Sequence, residues 1–459
     1  MFEKAINPTS LQDLKIHLQG ELIVSGDDDY NSARKVWNGM IDKYPAAIAR
    51  CTSVSDIVAA VKFARSQQLG VAVRSGGHSY PGHSTCDGGL VIDLSRMKAI
   101  QVDPGKRTAR VQAGVTLAEC IREMQRFGLA IPVGTASETG LAGLTLGGGL
   151  GWLMGKYGLT MDNLLAVEMV TADGLVLRAS SDEHPDLFWA VRGGGGNFGI
   201  VTSFEFRLHP VGSLLAGLVF YPAERTLEVL QRYREFSRTS PDELTAYAGL
   251  ITMQNGPAAT AIGVCYCGPL EEGERLIAPV RTLGSPLADM IRPMSYLELI
   301  SMMDAGVPRG HSYYSTAHSL KRLDDEALQI MLNYRLTRTT PVELIALQHV
   351  HGAVCRIGPA ETAFALREEH YAFQIMTSWN EEGAVDRSGV HIDWTRRLWS
   401  DIEPFATAET YSNYLEDEGE AHVRASYGAN YARLARVKDT YDPTNFFHLN
   451  HNIKPTAER

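Results

Sequence analysis

The residues best placed to do chemistry stand in one stretch, Val73-Arg74-Ser75-Gly76-Gly77-His78-Ser79-Tyr80-Pro81-Gly82-His83-Ser84. Two adjacent glycines lift the Cβ constraint, so backbone N–H groups can converge into an anion-binding concavity. Arg74 adds fixed positive charge, and Ser75, Ser79 and Ser84 add hydroxyl donors, a set that suits a pyrophosphate. His78 sits in the middle of this tight loop.

A second segment, Thr139-Gly140-Leu141-Ala142-Gly143-Leu144-Thr145-Leu146-Gly147-Gly148-Gly149-Leu150-Gly151-Trp152, sets glycines at close intervals between apolar residues. Such spacing lets backbone approach a flat ligand, or another backbone, with no side chain between. A third, Arg192-Gly193-Gly194-Gly195-Gly196-Asn197-Phe198-Gly199-Ile200-Val201, contains Gly194, Gly196 and Gly199 in the order of a dinucleotide fingerprint. That fingerprint needs a strand before it, a helix after it and an acidic residue about 20 positions on. Here residues 185–191 read as a helix, 200–208 alternate as a strand, and the acidic residue is missing. A Rossmann site is excluded.

Two further groups could act on a substrate. Strand alternation over residues 342–351 puts Glu343, His349 and His351 on one face, and if that face lines a pocket they contact substrate. His349 and His351 also have the spacing of a metal pair. A metal site needs a third ligand and supporting partners, however, and two histidines on a polar, pocket-facing strand are explained without one. No metal is expected, at this pair or at His78 and His83. Near the C-terminus, Thr410-Tyr411-Ser412-Asn413-Tyr414-Leu415-Glu416 offers Tyr414, a phenol that needs a cation or a second tyrosine to ionise. Asn450-His451-Asn452-Ile453 adds amides close to the end of the chain.

Arg-Ser-Gly-Gly-His-Ser followed by Gly-His-Ser, with the later segments in order, resembles the berberine bridge enzyme-like FAD oxidases. These belong to the vanillyl-alcohol-oxidase/p-cresol-methylhydroxylase (PCMH) superfamily; the likeness covers nearly the whole chain, and Thr139 and Leu144 are shared with the family's bacterial natural-product branch. The resemblance implies FAD carried covalently by His78, through a ring nitrogen bonded to the flavin 8α-methyl carbon. Arg74, Ser75, Gly76, Gly77, Ser79, Gly82, His83 and Ser84 would surround it. Gly140, Gly143, Gly147, Gly148, Gly149 and Gly151 would lie against the isoalloxazine, with Asp162 and Asn163 following in family register. Gly196, Gly199, Ile200 and Val201 would meet the adenosine and pyrophosphate, and Asn450 and Asn452 would hydrogen-bond the flavin or its neighbours.

Many relatives carry a second, cysteinyl tether eleven positions before the Gly-Gly-Gly, which here falls on Ala136. A single histidyl link is therefore implied. The same register puts Thr139 near flavin C4a and N5, with Leu144 and Ala136 around it and oxygen access open. Tyr414 takes the place of the family's active-site base, whereas the catalytic glutamate of some relatives falls on Arg356 and does not transfer. The implied activity is hydride transfer from an alcohol or activated C–H of a small organic substrate to flavin N5, with O2 as acceptor and H2O2 as product. An oxygenase using flavin oxygenated at N5 is the second reading, and a flavin-binding protein without turnover the third.

The elements that must position these residues alternate in the first half. A helix over residues 55–68, capped by Ser53 or Ser55, precedes a strand at 70–73, and further short strands and helices follow. From about Pro210, strands at 214–221, 246–253, 259–267 and 342–350 are separated by helices at 225–236, 271–283 and 325–336. The fold class is α+β: a two-part FAD-binding domain of PCMH type at 1–208 (core about 42–208), a substrate domain with an antiparallel sheet backed by helices at 209–413, and a segment at 414–459 returning to the first.

At 459 residues, 44% hydrophobic and 21% charged, the composition is that of a globular protein, and a net charge of -10 argues against nucleic acid as a partner. No stretch approaches a membrane span and the first eight residues lack a signal-peptide core, so a cytoplasmic location is expected. The six cysteines (Cys51, Cys86, Cys120, Cys265, Cys267, Cys355) show neither metal nor disulfide spacing. Cys265 and Cys267 should share one face of a strand, with Tyr266 on the other.

Overall fold

The computed structural model describes residues 8–252, 258–283, 285–339, 342–380, 388–417 and 419–456. Residues 1–7 and Met253, for which expectations were stated above, lie outside them. Among the described residues, the first part of the chain builds two larger sheets, beside a short antiparallel pairing of Leu129–Ala130 with His209–Pro210. In a four-stranded sheet, Ala47–Arg50, Leu90–Asp93 and Val71–Arg74 run parallel, with Glu21–Val24 antiparallel at the edge. The helix Val54–Gln67 starts where Ser53 accepts from Asp56 N while the Asp56 carboxylate returns to the Ser53 backbone, a reciprocal cap that decides between the two serines. Ile57, Val61 and Ala64 on that helix are fully buried.

The second sheet is antiparallel, in the order Ile100–Asp103, Thr108–Gln112, Ile200–Arg207, Leu164–Val170, Val176–Ser180. Its central strand, Ile200–Arg207, leaves the third glycine segment, which itself follows the helix Pro185–Val191. Helix, glycine loop and strand thus come in the reverse of Rossmann order.

The later part of the chain builds one eight-stranded antiparallel sheet. Its strands run from Ala288–Asp289 through Leu214–Pro222, Ala258–Tyr266, Leu244–Thr252, Val342–Val350 and His370–Trp379 to Ser312–Leu320, with Arg292–Met294 also pairing to Leu214–Pro222. Helices Thr226–Ser237, Leu270–Arg281, Asp325–Leu336 and Ser388–Ile402 back one face and enclose a core with it. A second core fills the first two sheets, reaches the other face of the large sheet, and takes in Val423, Leu434, Phe447 and Ile453 from the C-terminal segment. Cys265 and Cys267 lie in this core while Tyr266 lies in the helix-side one, as strand alternation requires. Among the described residues, no helix is long and apolar enough to cross a membrane.

Candidate active site

The strand Val71–Arg74 delivers the chain to the first glycine loop, which turns where Gly77 takes a φ of +68°, a conformation L side chains rarely adopt. Gly76 meets Gly140 of the second segment backbone to backbone: a Cβ on Gly76 would stand 2.3 Å from the Gly140 nitrogen. The two loops form one wall. Arg74 is not part of it. Val71 and Val73 face the cavity, so alternation turns Arg74 inward, where it donates to Ser84 O at 3.2 Å and to Ala33 O, with Asp93 3.9 Å away. The charge expected at a pyrophosphate is instead an interior strut.

A cavity of about 380 Å³ runs along the wall. Ser75, Gly76, Gly77, His78, Ser79, His83 and Ser84 line it from the first loop, and Ala136, Thr139, Gly140, Gly143, Leu144 and Gly147 from the second. Gly196, Gly199, Ile200, Val201 and Asn450 complete that side. Gly143 and Gly196 are the informative pair. Neither has a positive φ, and a Cβ on either would meet nothing within 4 Å. Neither the backbone nor protein packing demands glycine there, so what glycine preserves is cavity space. His83 Nε2, Ser84 Oγ and Asn450 Oδ1 are buried without a hydrogen-bond partner among the described residues, a deficit that a polar ligand such as FAD would meet.

Several expected ligands belong to the protein interior instead. A Cβ on Gly149 would stand 2.1 Å from Thr160 Oγ1 and one on Gly151 1.8 Å from Val133 O, while Gly148 packs on Tyr411 and Phe364. Gly147 lines the cavity, but its missing side chain makes room for Asn413. Asp162 is held by Arg367 through two bonds of 2.7 and 2.9 Å, both side chains buried. Asn163 donates to Tyr157 O and Leu159 O. Gly82 packs on Ile41, and neither Gly82 nor Asn452 lines the cavity.

His78 lines the cavity with its ring stacked on Trp37, centroids 4.3 Å apart and planes 18° off parallel. Burial, aided by nearby Arg309, pushes its pKa down to about 3. At neutral pH the imidazole is therefore uncharged and keeps a nitrogen lone pair.

At the other end Tyr414 donates its hydroxyl to Gln348 Oε1 at 2.9 Å. Beside it, Gln374 Nε2 donates to Tyr80 Oη at 3.1 Å and Ser315 Oγ at 3.0 Å. Burial first, then Tyr411 and Tyr80, raise Tyr414 far above the ordinary phenol range, with Gln348 opposing. Tyr80 rises to about 12, and His83 and His451 fall to about 3 and 4, all chiefly through burial. Among the described residues no Asp, Glu, Lys or Arg lines the cavity. It carries no ionised side chain at neutral pH. The cation expected to help Tyr414 ionise is not its partner: the hydroxyl donates to a carboxamide, and burial first, then Tyr411 and Tyr80, favour the neutral phenol.

Glu343, His349 and His351 are on the wrong side. Leu344 lines the cavity and Gln348 holds Tyr414, whereas Ile345 and Leu347 sit in the helix-side core. Glu343 and His349 share the parity of Ile345 and Leu347 and face the helices, and His349 Nε2 bonds Glu369 at 2.9 Å. His351, just past the strand, packs against Gly155. Sequence reasoning missed Gln348, Gln374, Tyr80 and Trp37. For Gln348 the signal was present: Ile345 and Leu347 mark the odd positions as the core side.

A family model described as an FAD binding domain matches residues 45–180, and one described as berberine and berberine like matches residues 410–454. The chain is 33% identical over 450 residues to an FAD-linked oxidoreductase of Bacillus subtilis (strain 168), covering 96% of this chain and 98% of that one. Among solved structures, 6-hydroxy-D-nicotine oxidase from Arthrobacter nicotinovorans is similar with a TM-score of 0.86 and 30% identity, over 95% of this chain and 98% of the other. Glucooligosaccharide oxidase from Acremonium strictum, which has a 6-S-cysteinyl, 8α-N1-histidyl FAD, shares the fold with a TM-score of 0.88 at 24% identity, over 98% of this chain and 100% of the other.

Proposed function

The chain belongs to the berberine and berberine-like FAD-linked oxidoreductases, and on that footing we propose that it carries FAD on His78 alone and oxidises a small, uncharged organic substrate. One observation carries this reading: the His78 imidazole and the Tyr414 phenol, whose hydroxyl is held by the Gln348 carboxamide behind it, line one cavity, and among the described residues no Asp, Glu, Lys or Arg lines it. When bound, FAD supplies a two-electron acceptor that takes hydride from a substrate carbon and is reoxidised by dioxygen, giving hydrogen peroxide.

The residues present fit that cofactor. The backbone of Ser75 to Ser79 and of Gly196 would hold its polar parts, Gly143 and Gly196 leave it room, and Ser84 Oγ and Asn450 Oδ1 would gain partners. Glucooligosaccharide oxidase has two tethers. Here Ala136 stands at the cysteine position and none of the six cysteines lines the cavity, which supports one link. In this reading residues 1–208 hold the cofactor, 209–413 cover it and 414–459 return to it.

An ion entering this cavity would give up its hydration with no charged side chain among the described lining residues, and a cation would also be repelled by Arg309 beside Gly76, so uncharged substrates are favoured. Gln348 fixes the direction of the Tyr414 O–H and leaves the phenol oxygen to accept a hydrogen bond from substrate. A phenol held neutral does not take a proton before hydride leaves. The favoured substrate carbon is thus one already activated by the lone pair of an adjacent heteroatom. The small side chains of Ala136 and Thr139 leave that wall open to dioxygen.

The test is anaerobic mixing of the enzyme with neutral amines, neutral alcohols and carboxylate analogues while the yellow absorbance is followed. Bleaching by neutral, heteroatom-activated compounds, with peroxide released on admitting air, is the expected result. Bleaching only by carboxylates, or incorporation of oxygen into product without peroxide, would overturn it.

A further inference from the structure

We propose that Trp37 is a positioning residue for covalent flavin attachment, holding the His78 imidazole in the plane from which a ring nitrogen meets the cofactor. This rests on the histidyl-FAD reading above. The Val36-Trp37-Asn38-Gly39 segment belongs to none of the glycine loops, yet Trp37 is only 1% exposed. Its indole lies between two rings: His78 at 4.3 Å and 18° on one face, Tyr313 at 3.9 Å and 16° on the other. Tyr80 meets it edge-on at 5.5 Å.

The indole is fixed from both sides of the cavity. Trp37 N donates to Gly77 O of the glycine loop at 3.0 Å, and Trp37 Nε1 donates to Val307 O at 3.0 Å. Next to it, Asn38 Nδ2 donates to Tyr80 O and Tyr313 O, and Asn38 Oδ1 accepts from Tyr313 N. His78 is held quite differently. Among the described residues neither of its ring nitrogens has a hydrogen-bond partner. A histidine on a loop has two side-chain torsions, and here the stack on Trp37 is the contact that sets its ring plane.

Attachment is a step in which orientation counts. A bond forms between a His78 ring nitrogen and the flavin 8α-methyl carbon, while one imidazole N–H and one methyl C–H are broken. The two electrons and two protons released pass to the isoalloxazine and from it to dioxygen, giving hydrogen peroxide, so the step balances with dioxygen as oxidant. Trp37 exchanges no proton, since its N–H is committed to Val307 O. It acts through His78 alone. Leucine at this position would fill apolar volume but would offer no ring to stack against.

The experiment compares wild type, Trp37→Phe and Trp37→Leu as purified flavoproteins. Total flavin is read from the native protein and covalent flavin from the acid-precipitated pellet, and the covalent fraction is then followed in air with added FAD. All three should hold similar total flavin, with attachment in the leucine variant slowed ~10- to 100-fold and restored to within ~3-fold of wild type by phenylalanine. Three results overturn the role: a leucine variant that attaches as fast as wild type, one that holds no FAD at all (the ring then shapes the cavity, not His78), or a phenylalanine variant no better than leucine. Wild type without covalent flavin would bring down the histidyl-FAD reading itself, and this role with it.

Discussion

Replacing Glu343 with glutamine should stabilise the protein, and increasingly so as pH rises. Glu343 is 3% exposed on the helix side of the large sheet, and among the described residues its Oε2 has no partner. Burial pushes its carboxyl from 4.5 up to about 8, with Arg335 and Arg338 opposing. Arg335 Nη1 is spent on Thr226 and Thr260, so it does not neutralise the carboxylate by contact. A folded pKa above the unfolded one means that the folded state binds the proton more tightly. Stability is then full below 4.5 and falls by about 1.4 kcal/mol per pH unit until pH 8, where the loss levels off. The 3.5-unit interval between 4.5 and about 8 gives an upper figure of about 5 kcal/mol, of which relaxation of the site leaves roughly half.

Glutamine keeps the shape and does not ionise. Thermal melting of holoenzyme across pH 5 to 9 should show wild type and Glu343→Gln together at the acid end and apart by on the order of 5 °C at the alkaline end. Other titrating groups cancel in the difference. A gap independent of pH, or a variant less stable throughout, would refute the buried-acid argument. Flavin reduction by substrate should be unchanged, because the side chain faces the helices.

Four further substitutions separate the parts of the site. Tyr414→Phe should slow flavin reduction by roughly tenfold with no change in its pH profile, whereas loss of a base would cost ~10²–10⁴ and remove an inflection. Gly143→Leu should fold and melt near wild type but purify with little flavin, because its side chain enters open cavity; Gly149→Leu, set against Thr160 at a φ of +93°, should fail to fold. Lys438→Met breaks a fully buried pair with Asp442 and bonds to Asn197 O and Phe447 O, so thermal melting should show a loss of about 3–5 kcal/mol, with weaker flavin retention since Asn197 and Phe447 line the cavity.

Features fixed by local chemistry are legible in the sequence. Paired glycines after a strand, a capping serine at 53 or 55 and the helix before Gly193 are local signals, so the first loop, the helix start to within two residues and the absence of Rossmann order were legible. Contacts between distant segments were not. Nothing near Gly147 to Gly151 reveals that Asn413, Tyr411, Thr160 and Val133 fill the space their missing side chains leave. Arg74 had the charge for a phosphate but not the side of the strand. Alternation divided 342–351 into two sets correctly, yet polarity misled the choice between them, because the helix-side core accommodates Glu343 and His349 while the cavity side presents Leu344 and Gln348. Ser312–Leu320 and His370–Trp379 are buried on both faces, so their polar-rich sequences show no clean period of two.

Everything proposed for this site depends on FAD being joined to His78 and to no other residue. The most direct test is to denature the holoenzyme in acid, digest the pellet with protease and identify the yellow peptide by mass spectrometry. One flavin-bearing peptide, containing His78, is expected, with complete release of colour into the acid supernatant from His78→Ala. Flavin released from wild type by acid, or found on any other peptide, would contradict it.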